Sequence, residues 1–543
     1  MGSIVRVFGL DRLRFCKRFA TRAAMLVTAW LTLTAHVGTN QVVFEGMAGE
    51  YPVRVIIRPP GVVPAQVPIV VRVLRGMPTR VTVRAAQWNV GLKGAPPAEA
   101  AAIVPGDSNT YAHDLWIMTS SAYAVYVGVE GPSGAGTLLV PVQSFATHTL
   151  SMPNVIGGVL IVLGALLIIG IFTLVGAAAR EGTLAIGQSP DSVRKRTARI
   201  ATGASAAVIA VALLGGAAWW RSADQMYQRR LEKPLHINTS VRGIEGVRRL
   251  VLRVDDALWT AHRTFPIIAD HGKLMHLFLV SSDAGAIAHL HPLRTAYDKF
   301  ESEVPAVPGG KYFLFADVVD TSGYQRTLVD TVDVPVAPAI VSDEEQKPAS
   351  ATSKTAPVSL SANSKFKDID DAWRAVASVA VGEQAQIDDG NISLTLSADA
   401  VVNRDLSVRV AVTNANGEPV SLEPYMGMGG HMMVMREDGG VFVHLHPMGS
   451  ASMAAQAVLL QRERTRASRG QTDSATLNSI TSESMKAMGS MDGTASAGAA
   501  AAEKPGTLSF PFAFPTDGRY RVFVQVKRNG AVQTAAFTVI VKK

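Results

Sequence analysis

Two stretches decide how this chain reads: HLFLVSSDAGAIAHLHP at residues 276–292 and HMMVMREDGGVFVHLHP at residues 431–447. In each, a histidine (His276, His431) stands thirteen residues before a His-Leu-His-Pro sequence, which supplies His289 and His291 in the first copy and His444 and His446 in the second. Between the histidines, apolar runs flank a turn signal, Ser282-Asp283-Ala284-Gly285 in one copy and Glu437-Asp438-Gly439-Gly440 in the other. Each copy therefore reads as a β-hairpin. Both continue to a matching strand, Gly310-Lys311-Tyr312-Phe313-Leu314-Phe315 and Gly518-Arg519-Tyr520-Arg521-Val522-Phe523, which makes the pair an internal repeat of one module.

A loop centred on the first turn pairs Phe278 with His289 and sets His276 opposite His291. Cross-strand neighbours lie about 5 Å apart at Cβ and residues two apart on one strand about 7 Å. Three imidazoles on one face can thus meet one metal ion. In the second copy the same register pairs Met433 with His444, and Met428 stands close by in a Gly-rich loop, so thioether joins imidazole. Candidate metal ligands are His276, His289, His291, His431, His444, His446, Met433 and Met428. Soft sulfur with imidazole selects copper, Cu(I) above all, with zinc as the alternative metal. A register slip of one residue would turn His276 away from the other two. The competing reading is structural: Pro292 and Pro447 end a strand, and the histidines hydrogen-bond to backbone. His271, beside Asp270, is either a fourth ligand of the first site or a loop residue.

Outward from the repeat, the chain is organised by membrane signals. Residues 153–179 and 200–220 are apolar enough for transmembrane helices, joined by a basic loop at 180–199 that the positive-inside tendency assigns to the cytoplasm. Residues 1–38 read as a signal peptide or a signal-anchor helix, giving two or three membrane helices in all. The net charge of +8 resides in residues 1–22 and that loop. It orients the protein in a bilayer, and nucleic acid is excluded as a partner. The only cysteine, Cys16, lies before the exported part, so a metal there must use His, Met or carboxylate.

The expected fold is mostly β, with several Ig-like or cupredoxin-like sandwiches. One sandwich spans 39–152, the first repeat module 221–337, and the second 385–543. A flexible linker occupies 338–384, and a disordered, Met-containing insertion covers 451–505 with one short helix around Ala454–Arg464. Trp88 and Trp116 are expected in the core of the first sandwich. The expected location is the bacterial inner membrane, multi-pass, with the large domains outside the cytoplasm.

Residues 51–55, YPVRV, with LWIMT at 115–119 and YAVYVGVE at 123–130, resemble the YtkA-like and FixH-like envelope domains. HGKLMHLFLV at 271–280 with HLHP, and its counterpart at 431–447, resemble a module recurring in uncharacterised bacterial membrane proteins. There is a broader likeness to CopC-like copper-handling sandwiches. These resemblances imply copper binding, delivery or tolerance, with envelope copper proteins or an oxidase assembly pathway as partners. The N-terminal histidine of CopC-like proteins is missing, so that site does not carry over. No enzymatic activity is expected. A zinc-dependent hydrolase with Asp317 or Asp270 as base is the lesser alternative, since no motif such as HExxH stands in the chain. The alternative of another class is a metal-free envelope scaffold whose Ig-like domains bind a protein partner.

Overall fold

Alternation sets the strands. Along Ala65–Val73 the side chains of Val67, Ile69, Val71 and Val73 are buried, while Gln66 and Pro68 are exposed and Val70 and Arg72 half-buried. That is the period-two pattern of a sheet with one face on a core. The structure is a computed structural model, and it describes residues 41–185, 187–244, 247–336, 365–470 and 505–543. The expected leader at 1–38 lies outside the described residues. The chain is mostly β and divides into two units: the strands of the described parts of 1–60, 65–144 and 234–543, and the segments 61–64 and 145–233, which hold two long helices.

In the first unit, the N-terminal sandwich stacks two sheets. One runs in the order Val42–Ala48, Tyr51–Ile57, Ala65–Val73, Asp107–Ile117, Ala102–Val104, and the other Glu99–Ala100, Arg80–Gln87, Ser121–Gly131, Gly134–Ser144. Trp88 packs edge-on against Phe265 at 5.0 Å, but Trp116 is 60% exposed. It points off the outer face of its strand, so its place in the core is corrected.

The two repeat modules are sandwiches of the same plan. In the first, the hairpin His276–Ser281/Ala286–Leu290 lies beside Gly310–Asp320; in the second, His431–Arg436/Phe442–Leu445 lies beside Gly518–Arg528. The register is the one the turn signals imply, with Phe278 opposite His289 and Met433 opposite His444. Leu277, Leu279 and Leu290 enter the core of the first module, as Met432, Val434 and Leu445 enter that of the second. The opposite faces meet each other: Phe278, Val280, Ile287 and Phe315 form one apolar cluster with Met433, Met435, Phe442 and Phe523. Both hairpins are thus buried on both sides, which explains their near-continuous apolar runs. The histidines belong to this shared face.

Two expected loops are structured. Within the expected flexible linker, Ala372–Ala375 pairs with Ala286–Leu290 and Ser378–Ala380 runs parallel to Ala531–Val541, so the segment laces the two modules together. Its first part, 338–364, lies outside the described residues. Within the expected disordered insertion, the short helix expected around Ala454–Arg464 is present and longer, Met453–Ser468, and 471–504 lies outside the described residues. Ser452 caps the helix by accepting from the Ala455 amide, and Met453, Ala455, Leu459 and Leu460 are buried. Ala, Gln, Leu and Arg are strong helix formers, and Leu459 and Leu460 find their core on Leu139 and Tyr126 of the N-terminal sandwich. A composition too poor for a core of its own docks on a neighbour's.

The second unit holds helices Asn154–Glu181 and Ser192–Arg230, both long and apolar enough to cross a membrane. The second helix starts inside the expected cytoplasmic loop, with Asp191 accepting from the Arg194 amide, so the basic residues 194–199 are its first turns.

Candidate metal centre

Each triad is built from the backbone upward. His276 and His431 open their strands, opposite Asp317 and Gln525 of the neighbouring strand. Before each stands a two-residue turn. Asp270 and Lys273 exchange backbone hydrogen bonds around His271 and Gly272 (φ 50 and 80), as Tyr425 and Met428 do around Met426 and Gly427 (φ 51 and 77). Both central residues have positive φ, the geometry of a type I′ turn. The turn aims a carbonyl at the following histidine: His276 Nε2 donates to Asp270 O (3.1 Å) and His431 Nε2 to Tyr425 O (3.1 Å).

The inner nitrogens then converge. His276 Nδ1 faces His289 Nε2 at 3.2 Å, and His431 Nδ1 faces His444 Nε2 at 3.0 Å. In each triad the three candidate ligand atoms lie within 4.8 Å of one another. All six side chains are buried. Burial holds His289, His431, His444 and His446 far below the ordinary imidazole range and pushes His276 down to about 3, with repulsion from neighbouring rings adding to it. These rings are neutral.

The outer nitrogens are held across the module boundary. His289 Nδ1 donates to Gln525 Oε1 of the second module (3.0 Å), whose amide is oriented by its own bond to Thr534 Oγ1 (3.3 Å). Conversely, His444 Nδ1 lies 3.6 Å from Asp317 Oδ2 of the first module, and Thr327 donates to the other oxygen at 2.6 Å. Burial raises the Asp317 carboxyl to about 7. Each module thus supports the other's second histidine.

Beyond the hairpins the copies differ. Asp371 accepts from both the backbone and the ring Nδ1 of His291 (2.8 and 3.0 Å), which leaves Nε2 buried without a partner among the described residues. Asp368 stands 3.9 Å from the same ring and is bonded to Lys273, which also pairs with Asp370 at 3.0 Å. Among the described residues neither nitrogen of His446 has a hydrogen-bond partner. Its backbone instead closes a turn with Gly449 (2.9 and 2.8 Å).

The structure brings all six candidate histidines together on one shared face, with His276 and His444 rings 5.4 Å apart and His289 and His431 6.1 Å apart. Two separate sites, one per module, were expected; the two triads are neighbours. Met433 is fully buried in the apolar cluster with Phe278 and Phe442, and Met428 is half-buried in the turn before His431. His271 is not beside the first triad alone: its ring is 6.2 Å from His276 but 5.0 Å from His446. Sequence reasoning missed Asp368 and Asp371, which it placed in a flexible linker, and Gln525. Gln525 was signalled by the repeat, since it stands two residues past Phe523 as Asp317 stands two past Phe315.

Residues 385–472 and 490–543 match a family model described as "Domain of unknown function (DUF8832)", so the match covers the second module and less than half of the chain. No curated protein matches. Among solved structures, dimeric latent PorU from Porphyromonas gingivalis is similar at 7% identity and a TM-score of 0.13, over 93% of this chain and 34% of that one. This chain thus spans about a third of the length of PorU. A protein from Corynebacterium diphtheriae described as a "Putative membrane anchored protein" is similar at 9% identity and a TM-score of 0.14, over 90% and 92% of the two chains. Likenesses at this level do not establish a common fold.

Proposed function

We propose that this protein is a membrane-anchored, extracytoplasmic metal binder whose two histidine triads each take one ion, copper first and zinc as the alternative. The observation that carries the reading is the facing pair in the first triad. The ring protons of His276 and His289 are engaged by Asp270 O and Gln525 Oε1, so two lone pairs face each other at 3.2 Å in a buried site. A buried acceptor without a donor costs about 1–3 kcal/mol. Adding a proton is opposed by burial, whereas a metal ion resolves the conflict. Two imidazoles bound tetrahedrally at about 2.0–2.1 Å from zinc stand about 3.3 Å apart, close to the spacing found. Metal-bound histidines also characteristically donate their other N–H to a carbonyl or carboxylate, as His276, His289, His291 and His431 do.

Neutral imidazole suits copper and zinc alike, so copper rests on the methionines around the second triad, Met433 and Met428. The location rests on charge: Arg180 and the cluster Arg194, Lys195, Arg196 and Arg199 flank the two helices at their connection, while Trp219 and Trp220 stand near the far end. The positive-inside tendency puts that connection in the cytoplasm and the β modules outside. Binding there serves copper delivery or tolerance, with envelope copper proteins or oxidase assembly as partners.

The test is metal content and Cu(I) titration, with zinc as competitor, of the full-length protein in detergent. The variant His289→Ala/His291→Ala/His444→Ala/His446→Ala is the control. Tight binding by the wild type that disappears in the variant is expected; equal uptake by both would sink the proposal.

A further inference from the structure

The turn residue His271 carries an unused imidazole. Its side chain is 1% exposed, yet among the described residues Nε2 has no hydrogen-bond partner. The Asp270 carboxylate is 3.6 Å away, beyond hydrogen-bond reach, and the same oxygen already accepts from the Ala454 amide at 3.0 Å. The nearest rings belong to the second module, His446 at 5.0 Å and His431 at 5.8 Å. His446 itself has no partner on either nitrogen among the described residues. Buried polar atoms are rarely left unpaired, and a neutral imidazole keeps one lone pair, so two neighbouring rings each with an unused lone pair point to a shared ligand that accepts them.

The backbone confirms that His271 is held in place. Its φ of 50 is a position that residues other than glycine seldom adopt, and the N-terminus of helix Met453–Ser468 grips the adjacent Asp270. The equivalent turn of the second module offers no such group, since Met426 stands in the matching place with φ 51.

We propose that His271 is the fourth ligand of the second site, so that His271, His431, His444 and His446 enclose one metal ion while the first site keeps three imidazoles and an open position. His271 stands outside the group of ligand atoms that lie within 4.8 Å of one another, and in the proposed site its side chain turns about its fixed backbone to join them. Closed four-ligand shells characterise structural metal sites, and three ligands with an open position characterise sites that exchange or activate a ligand. The metal of the second site is therefore a staple between the modules, and the metal of the first site is the exchangeable one. This rests on the metal-binding reading of the triads.

The test uses zinc and the full-length protein in detergent, with affinity read by chelator competition and coordination by X-ray absorption. In a His289→Ala/His291→Ala background only the second site remains. There His271→Asn, which suits a positive φ, should weaken zinc by more than about 100-fold, beyond the loss typical of an outer-shell partner, and remove one imidazole from the shell. His271→Cys should restore tight binding with a sulfur in the shell. In a His444→Ala/His446→Ala background His271→Asn should change nothing. Unchanged affinity in the first background, or a loss in the second, would overturn the assignment while leaving the triads as metal sites. Failure of the wild type to take zinc or copper at all would overturn both.

Discussion

The two triads are copies that have kept their histidines and changed their supports. Both have a type I′ turn six residues back, a carbonyl on the outer nitrogen of the first histidine, and an inner nitrogen pair 3.0–3.2 Å apart. They differ around that frame. Gln525 backs His289 where Asp317 backs His444, Asp371 anchors His291 where the His446 ring has no partner among the described residues, and His271 stands where the second copy has Met426. The difference teaches that a repeated module can specialise its sites through residues that never enter a ligand motif.

The largest effect expected from breaking the comparison is on stability with and without metal. A ligand present at about 1,000 times its Kd stabilises the folded state by about 4 kcal/mol, so the wild type should melt at markedly higher temperature with metal. His289→Ala/His291→Ala and His444→Ala/His446→Ala should each lose part of that gain, and calorimetry against metal concentration checks it. Next in size is truncation at the shared face. Phe278→Ala removes a buried ring stacked on His289 at 4.2 Å and should cost about 3–5 kcal/mol in chemical unfolding of the metal-free protein.

The swapped supports allow a sharper test. Gln525→Leu lies in the second module but should weaken the first site by about 10–100-fold, whereas Asp317→Asn should weaken the second. Chelator competition on each site alone reads the crossing, and effects confined to the mutated module would break the swap.

Acid should also distinguish the metal-free protein. His276 is held near 3, and His289, His431, His444 and His446 are held far down by burial, while unfolded histidines titrate near 6.5. Below about 6.5 the unfolded chain takes up protons that the folded one refuses. Stability therefore falls with pH from there, by about 1.4 kcal/mol per pH unit for each such proton. Asp317, raised to about 7, opposes this with a single proton between its folded and unfolded values. Thermal melts from pH 7.5 to 5 should show a net loss.

The smallest effect is expected from Met433→Leu. The change conserves volume in an apolar cluster, so stability should shift by less than about 1.5 kcal/mol and zinc affinity not at all. A selective fall in Cu(I) affinity would make the sulfur a donor and copper the cargo.

Much of the site was legible because hairpins are local. The turn signals set the register, and the register puts His289 opposite Phe278 and His444 opposite Met433. The meeting of the two faces was not legible, because period-two patterning says which side is buried but not by what. Leu277 and Phe278 are equally apolar, yet one faces its own core and the other the neighbouring module. Asp371 was missed because an acidic stretch after a Ser- and Lys-rich segment has the composition of a solvated linker. What orders it is pairing with Ala286–Leu290, a partner far back in the chain.

The swap has a consequence for biosynthesis. His289 and its support Gln525 are 236 residues apart in the chain. A chain emerging N-terminus first carries His276, His289 and His291 long before the strand that orients His289 exists. The first triad is completed only when almost the last strand has folded. On the proposed metal-binding reading, an ion met earlier would find His289 unsupported, so the first site would fill only after the second module has formed.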